Sequence, residues 1–298
     1  MSETAAAIPH ANAEPGILAD LLDLTKARLN LLVLITTFVG YWMGTSGAMD
    51  WPRLLCAMLG TALTAAAAAA LNQLWERKVD ALMTRTASRP LPSGRMKGGT
   101  ALGFGFALGA AGTALLWFAV NSLSALLALG TLAIYVLLYT PMKRRTALCT
   151  LVGAVSGAIP PVVGWAAANP HLTLGAWVLF AVLFTWQMPH FLAIAWMYRD
   201  QYRGAGLVML KRDDETGFTT AATSFVFTLL LTAATLVPFN AGVAGGTYLG
   251  GALIINSVFF LAALHFWADR SRPIARRLFF ASIIYLPLIL GLMVLTKE

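Results

Sequence analysis

Long apolar runs, separated by short polar segments, make up most of this chain. A helix needs about 20 apolar residues to cross a bilayer, and nine runs reach or approach that length. Within each run the apolar residues are continuous and do not alternate with polar ones, which argues against a barrel. The pattern therefore predicts an all-α, polytopic membrane protein with about nine transmembrane helices. The runs lie near residues 29–44, 54–73, 101–119, 122–140, 148–167, 173–197, 221–239, 246–267 and 276–295.

Composition and charge place the chain in the same class. Of its 298 residues, 58% are hydrophobic and 11% are charged, whereas soluble domains carry about 25% charged residues. The net charge of +8 would suit nucleic acid. However, all of the 21 Lys and Arg residues except Arg53 and Lys297 lie in one set of polar segments. Basic residues concentrate on the cytoplasmic side of membrane proteins. We therefore expect a cytoplasmic N-terminus, an external C-terminus and no nucleic-acid partner. The basic segments are 74–100, 141–147, 198–220 and 268–275, with the N-terminal part of the chain and the adjoining helix ends.

The first 20 residues contain no Lys or Arg, so they resemble neither a signal peptide nor an Arg-rich transit peptide. We interpret 1–20 as a disordered cytoplasmic tail and 21–298 as a single transmembrane domain, in a bacterial plasma (inner) membrane. Asp20–Asn30 is amphipathic and predicts a helix at the membrane interface. The two cysteines form neither a disulfide framework nor a metal pattern.

The densest polar segment follows the second apolar run. Asn72, Glu76 and Asp80 are spaced four residues apart, so a helix places them on one face. Oxygen donors of this kind suit Mg²⁺, which pairs one or two carboxylates with substrate phosphates. Arg85 and Arg89 follow directly and suit phosphate oxygens. The segment therefore predicts a diphosphate site.

A second polar segment follows the sixth run, where Asp200 and Tyr202 lie beside Arg199. The second and sixth helices are four spans apart and run in the same direction. This favours two pseudo-repeats of four helices each and one additional helix, arranged around a central cavity. Two acidic segments facing each other across that cavity would hold two Mg²⁺ ions on one diphosphate.

Other polar residues leave alternatives open. Lys143 and Arg144, after the fourth run, either determine topology or bind phosphate. The glycines and prolines of 153–164 form either a pocket wall or a packing kink. His190, inside the sixth run, is either a functional ligand or acid–base group, or a hydrogen-bonded structural residue. The acidic run 213–215 is typical of a solvated turn.

These motifs resemble a known superfamily. Asn72-x-x-x-Glu76-x-x-x-Asp80 followed by RTASRPLPSG resembles the first motif of the intramembrane aromatic prenyltransferases of the UbiA type. DALMTRT, YTPMKRRT running on to GAIPPVVGW, WQMPHF and YRDQYRGAGLVML resemble its protohaem IX farnesyltransferase (haem O synthase) family. The resemblance runs from about Thr25 to Thr220, and the last three helices match only in hydropathy.

The resemblance implies a nine-helix fold and a Mg²⁺-dependent enzyme of haem O biosynthesis. Such an enzyme transfers the farnesyl group of farnesyl diphosphate to the 2-vinyl group of haem B, giving haem O and diphosphate. The implied partners are these two substrates, the lipid bilayer, and haem A synthase or a terminal oxidase assembly.

The resemblance also assigns roles to residues. The implied catalytic residues are Asn72, Glu76, Asp80, Asp200 and Tyr202, of which all but Tyr202 would hold the metal. The implied diphosphate-binding residues are Arg85, Arg89, Lys143, Arg144 and Arg199, and the implied haem-binding residues are His190 and Trp186.

The sequence departs from the family pattern in two places. Gln201 stands directly before Tyr202, where the family usually has an acid, and Lys211 stands where it usually has a proline. Two other functions remain open, a prenyltransferase with a quinone-precursor acceptor such as 4-hydroxybenzoate and a transporter of a lipophilic anion. GAIPPVVGW and WQMPHF count against the first. The concentration of charge at one membrane face counts against the second, because transporters place charges near the midplane.

Overall fold

The computed structural model describes residues 16–242 and 244–297. In this part of the chain every regular element is helical, and nine helices are long and apolar enough to cross a membrane. The prediction of an all-α protein with nine spans is confirmed. The helices are α1 Ile17–Leu24, α2 Ala27–Gly44, α3 Trp51–Asp80, α4 Gly98–Ala119, α5 Ser122–Met142, α6 Cys149–Ala168, α7 Leu174–Met197, α8 Arg199–Gly204, α9 Phe218–Asn240, α10 Gly246–Ala268 and α11 Arg272–Leu295.

Two helices, α3 and α5, begin with a capping side chain. The side chain of Asp50 accepts a hydrogen bond from the Arg53 backbone N–H at 3.0 Å and caps α3, which carries Pro52 in its first turn. Asn121 caps α5 in the same way, through the Ser124 N–H at 2.8 Å. These caps satisfy backbone donors that have no partner inside the helix.

The acidic run 213–215 contains one buried residue. Asp213 is exposed and pairs with Lys211, as a solvated turn predicts. Asp214 is buried, and its carboxylate accepts hydrogen bonds from the Thr219 and Thr220 backbone N–H groups and from the Thr220 hydroxyl. Asp214 thus anchors the loop to the first turn of α9.

The N-terminal segment differs from the predicted single amphipathic helix. It forms α1 and α2, separated at Lys26, whose backbone is left-handed with φ 49° and ψ 48°. Helix α1 begins at Ile17, inside the segment interpreted as a tail, and residues 1–15 lie outside the described residues. The break turns the Lys26 side chain towards α3, as described below.

Helix α7 lies at the centre of the largest hydrophobic core. It packs against α6, α9 and α11, and residues such as Leu179, Val182 and Trp196 are almost completely buried. Helix α3 packs along α4, and α2 packs against the second half of α6. The two helices that carry the polar motifs are therefore held by neighbours along most of their length.

The crossing of α2 and α6 brings the two backbones into contact. A Cβ atom on Gly40 would lie 1.9 Å from the Pro161 carbonyl oxygen, and one on Gly164 would lie 1.9 Å from the Thr37 carbonyl oxygen. Small residues allow membrane helices to approach this closely. The glycines of α6 therefore serve helix packing, which was one of the two interpretations of this segment.

The loops 81–97, 143–148, 198–217 and 269–271 lie together, and we call this end of the protein the charged face. The Val208 N–H donates a hydrogen bond to the Lys143 carbonyl at 2.6 Å, and the Trp196 indole N–H donates to the Arg270 carbonyl at 2.6 Å. At the other end of the bundle, Lys297 donates to the carbonyl groups that end α2. Helices α3 and α7 both end on the charged face, so they run in the same direction, as the repeat predicted.

Candidate active site

The polar face of α3 lies at the charged face and is closed off from solvent. Asn72, Glu76 and Asp80 retain 0%, 9% and 2% of their accessible surface. Their spacing places them along one side of the helix, as predicted. Buried polar and charged groups need partners, and each of these three side chains meets a cation from a different part of the chain.

Asn72 is held between two other elements. The Lys26 ammonium group donates a hydrogen bond to the Asn72 side-chain oxygen at 2.8 Å, and the Asn72 amide donates to the Thr140 hydroxyl at 3.0 Å. The Thr140 hydroxyl in turn donates to the Tyr135 carbonyl at 2.8 Å, across the π-helical segment Ile134–Tyr139 of α5. Such π-turns occur often at functional sites.

Lys26 was not among the predicted site residues. Its approach to α3 depends on the left-handed turn between α1 and α2. The only signal in the sequence was a lone lysine at the start of the first apolar run.

Glu76 pairs with Lys143. The Lys143 nitrogen lies 2.9 Å from one carboxylate oxygen of Glu76 and donates to the other at 3.1 Å. It also lies 4.5 Å from the centre of the Tyr139 ring. Burial lowers the pKa of the Lys143 ammonium group, but Tyr139 and Glu76 outweigh this effect and hold the pKa well above its usual range. Lys143 therefore remains a cation beside the carboxylate.

Asp80 pairs with Arg89 at 2.8 Å, and its own carbonyl accepts a hydrogen bond from the Thr86 hydroxyl at 2.8 Å. The segment after α3 thus folds back onto the helix end. Arg85 projects towards the second motif, where it donates a hydrogen bond to the Tyr202 hydroxyl at 3.1 Å and lies 5.1 Å from the centre of the Tyr198 ring. The structure therefore brings Tyr202 together with the first motif.

Asp200 lies apart from the α3 carboxylates. It is exposed and pairs with Arg272 at the start of α11 and with Arg199 at 3.7 Å. The hydrogen bond from Arg272 lowers the pKa of the Asp200 carboxyl group. Desolvation opposes this effect, and the nearby guanidinium charges add to it. Across residues 16–242 and 244–297, no cluster of three or more His, Cys, Asp or Glu side chains could hold a metal ion.

Two of the predicted diphosphate-binding arginines are also outside the buried cluster. Arg144 is exposed, and no acidic side chain among the described residues pairs with it. The Arg199 guanidinium lies 4.0 Å from the centre of the Trp196 ring. Of the predicted cations, Lys143 and Arg89 contact the α3 carboxylates, and Arg85 contacts Tyr202.

His190 and Trp186 lie together between α7 and α11. Their rings stack at 4.9 Å between centres, and Phe279 lies 5.0 Å from the His190 ring on α11. The His190 Nδ1 atom is 2.7 Å from the Ser282 hydroxyl, and the Trp186 indole N–H donates to the Ser282 carbonyl at 2.8 Å. Ser282 fixes the imidazole through Nδ1, which leaves Nε2 for another partner.

The donor set on α3 fits Mg²⁺. It supplies two carboxylates and one amide oxygen, and Mg²⁺ in phosphate sites takes one or two carboxylates together with substrate oxygens. One oxygen of Glu76, Oε1, is buried and accepts no hydrogen bond from the described residues, although the Lys143 ammonium lies nearby. A buried carboxylate oxygen of this kind can act as a metal ligand. The cations around the three side chains suit the oxygens of a diphosphate.

Comparison with known proteins identifies the family. The family model described as the UbiA prenyltransferase family matches residues 33–284. The protoheme IX farnesyltransferase of Solibacter usitatus (strain Ellin6076) is 46% identical, over 93% of this chain and 98% of the relative. That of Myxococcus xanthus (strain DK1622) is 44% identical, over 93% of this chain and 94% of the relative.

Solved structures share the fold. A digeranylgeranylglyceryl phosphate synthase superposes with a TM-score of 0.80 at 16% identity, covering 94% of this chain and 98% of that one. A UbiA homolog from Archaeoglobus fulgidus bound to DMAPP and Mg²⁺ has a TM-score of 0.67 at 15% identity, covering 92% of this chain and 99% of that one. With the family match and the full-length relatives, these likenesses show that the chain belongs to the UbiA prenyltransferase family.

Proposed function

We propose that this prenyltransferase transfers the farnesyl group of farnesyl diphosphate to the 2-vinyl group of haem B, giving haem O and diphosphate. The observation that carries the choice of acceptor is the 46% identity to a protoheme IX farnesyltransferase along almost the whole chain. The bond between farnesyl C1 and the diphosphate oxygen breaks, and the terminal vinyl carbon forms the new carbon–carbon bond. Water adds to the resulting cation and loses a proton, which leaves a hydroxyethylfarnesyl group.

The α3 face binds the diphosphate in this proposal. Asn72, Glu76 and Asp80 would hold Mg²⁺, and the metal would supply Lewis-acid stabilisation of the leaving group. The structure of a UbiA homolog with DMAPP and Mg²⁺ supports this role for the metal. In the protein as described, Lys143 and Arg89 neutralise Glu76 and Asp80. With Mg²⁺ on the carboxylates, Lys143 and Arg89 would be available to bind the phosphate oxygens.

Lys26 and Arg85 complete the set of cations. Lys26 contacts Asn72, and Arg85 contacts Tyr202 from the second motif. Tyr202 thereby orients Arg85 across the mouth of the site. Asp200 stays a predicted metal ligand. Arg144 and Arg199 stay predicted diphosphate ligands.

Aromatic rings next to the cations suit the allylic chemistry. Tyr139 faces the Lys143 ammonium, while Tyr198 and Tyr202 face Arg85. Ring faces stabilise neighbouring positive charge. The apolar helices around the site keep bulk water away from the farnesyl cation until the new bond has formed.

His190 is the proposed axial ligand of the haem iron. Its Nδ1 is engaged by Ser282, and this kind of contact fixes the tautomer and ring orientation of a metal-binding imidazole. Trp186 stacks on the same ring and holds it in place.

The proposed location is a bacterial inner membrane, with the charged face in the cytoplasm and the C-terminus outside. The distribution of Lys and Arg supports this orientation. The product, haem O, would pass to haem A synthase or to a terminal oxidase assembly.

A product assay tests the proposal. The purified protein in detergent is incubated with haem B, farnesyl diphosphate and Mg²⁺, and separately with EDTA, and the porphyrins are analysed by liquid chromatography and mass spectrometry. We expect a farnesylated haem that forms only with Mg²⁺. Unchanged haem B together with prenylated 4-hydroxybenzoate in a parallel reaction would instead establish the quinone-precursor acceptor. Transport of farnesyl diphosphate into proteoliposomes without product would favour the transporter.

A further inference from the structure

A cavity opens between the charged-face ends of α7 and α11, with a volume of about 790 Å³. Its wall combines cationic and aromatic side chains, and none of the arginines in it belongs to the diphosphate set. We call it the arginine groove. It is lined by Tyr198, Arg272, Arg276, Arg277, Phe279 and Phe280, among others.

Two of the three arginines have no acidic partner. Arg272 is paired with Asp200. Arg276 and Arg277 are exposed, and no carboxylate in the described residues lies within ion-pair distance of either. The Arg276 guanidinium lies 5.6 Å from the centre of the Phe280 ring. The groove therefore presents two unneutralised guanidinium groups beside an aromatic surface.

The groove adjoins both halves of the proposed site. The Tyr198 ring forms part of its wall and also contacts Arg85 of the diphosphate set. Phe279 lines the groove and lies 5.0 Å from His190. A ligand in the groove is thus one side chain away from Arg85 and one side chain away from the proposed iron ligand.

We propose that the arginine groove binds the two propionate carboxylates of haem B through Arg276 and Arg277, with Phe279 and Phe280 against the porphyrin edge. This inference rests on the proposed function, because haem B is the acceptor there. Two carboxylates match two unpaired guanidinium groups in number and charge. The α3 cations are already engaged by Glu76 and Asp80, so diphosphate and propionates use separate sets of charges.

The test is a titration of the protein with haem B in the absence of farnesyl diphosphate. The protein is held in phosphatidylcholine nanodiscs, and binding is monitored by absorbance. The Arg276→Gln/Arg277→Gln variant should bind haem B roughly tenfold more weakly, which equals about 1.4 kcal/mol, since it loses two exposed ion pairs. The matched control is Arg28→Gln/Arg145→Gln, which removes two exposed charges from the same end of the protein and should bind like the wild type. Equal affinity of the two double variants would overturn the proposal.

A second probe avoids substitution altogether. Haem B dimethyl ester has the same ring and iron but no carboxylates, so the unaltered protein should bind it roughly tenfold more weakly than haem B, with the groove variant binding both equally. An unaltered protein that binds ester and acid alike would contradict the groove assignment. The groove assignment would also be contradicted if the groove variant bound haem B more weakly than the unaltered protein only in nanodiscs that contain phosphatidylglycerol. The arginines would then serve a lipid headgroup.

Turnover separates this inference from the proposed function. In the product assay, the groove variant should show a raised KM for haem B, with kcat and the KM for farnesyl diphosphate retained. If the unaltered protein binds haem B through the groove but makes no farnesylated haem, the proposed function fails and the groove assignment stands. If farnesylated haem forms with the same KM in the groove variant, the groove assignment fails and the proposed function stands.

Discussion

Asn72, Glu76 and Asp80 on α3 each meet a cation that approaches from a different direction. Lys26 comes from the turn before α2, Lys143 from the end of α5, and Arg89 from the loop after α3 itself. A buried carboxylate that loses its partner becomes strongly unfavourable. The charge pairs are therefore both the means of burying these side chains and the source of cations for a diphosphate.

Replacing Glu76 tests the role of its carboxylate directly. Glu76→Gln keeps the side-chain shape but removes the charge that pairs with Lys143. We expect kcat to fall by at least about 10²-fold, the size of effect seen when one group that stabilises developing charge is removed. Farnesyl transfer at saturating Mg²⁺ is the measurement. Asp213→Asn is the control, because Asp213 is an exposed carboxylate paired with Lys211. Activity of Glu76→Gln equal to that of the control would remove Glu76 from the metal site.

Replacing His190 tests the proposed iron ligand. In His190→Ala the stacking partner of Trp186 and Phe279 is lost together with Nε2, and the absorption spectrum of bound haem B should shift because the axial ligand changes. His265→Ala, on the exposed side of α10, should leave the spectrum unaltered. A spectrum of His190→Ala that matches the control would make His190 a packing residue only.

At the level of whole helices, close backbone contact holds α2 against α6. The pair Gly40 and Gly164 leaves no room for a methyl group on either side of the crossing. Because membrane helices associate through packing rather than through exclusion of water, this contact contributes much of what holds α2 in place. The position of α2 in turn sets the position of Lys26.

The crossing predicts a large difference between two Gly→Ala substitutions. Gly164→Ala places Cβ 1.9 Å from the Thr37 carbonyl oxygen, so the backbones must separate. We expect a loss of roughly 1–3 kcal/mol, the usual cost of overpacking, seen as a lower apparent Tm in detergent at a fixed heating rate. Gly130→Ala on α5 meets no atom within 4 Å and should leave Tm unchanged or raise it, since alanine favours helix. Equal Tm values for the two variants would mean that α2 and α6 can separate at the crossing without loss of stability.

Across the whole molecule, charge is distributed by membrane face. The loops that carry most of the Lys and Arg residues contact one another at one end of the bundle, while Lys297 binds the carbonyl groups of Trp42 and Thr45 at the other. The first and last spans therefore end on the same face, and the start of the first span and the end of the last lie on opposite faces, as an odd number of spans requires.

Cysteine labelling tests the orientation of the two faces. The background has Cys56 and Cys149 replaced by alanine. Arg145→Cys then places a thiol on the charged face and Ser46→Cys places one on the opposite face. Both positions are exposed. In intact cells an impermeant maleimide should label Ser46→Cys only, and in inverted vesicles Arg145→Cys only. The reverse pattern would place the charged face outside the cytoplasm.

The sequence predicted much of this architecture because the relevant signals are local. Continuous apolar runs specify membrane-spanning helices on their own, since lipid offers no partners for an unpaired backbone. The four-residue spacing of Asn72, Glu76 and Asp80 needs only a helix to align them. The sequence predicted Lys143 and Arg89 only as candidate phosphate ligands, and their pairing with Glu76 and Asp80 emerged from the structure.

Tertiary structure decided which partners each side chain meets. Lys26 reaches Asn72 because its backbone forms a left-handed turn, which the residue pattern does not predict. Asp200 meets Arg272 rather than the α3 carboxylates, because the short helix α8 directs it towards α11. The arginine groove likewise exists only where α7 and α11 pack together. Helices and their faces depend on neighbouring residues, whereas these contacts join segments that are far apart in the chain and depend on how the helices pack.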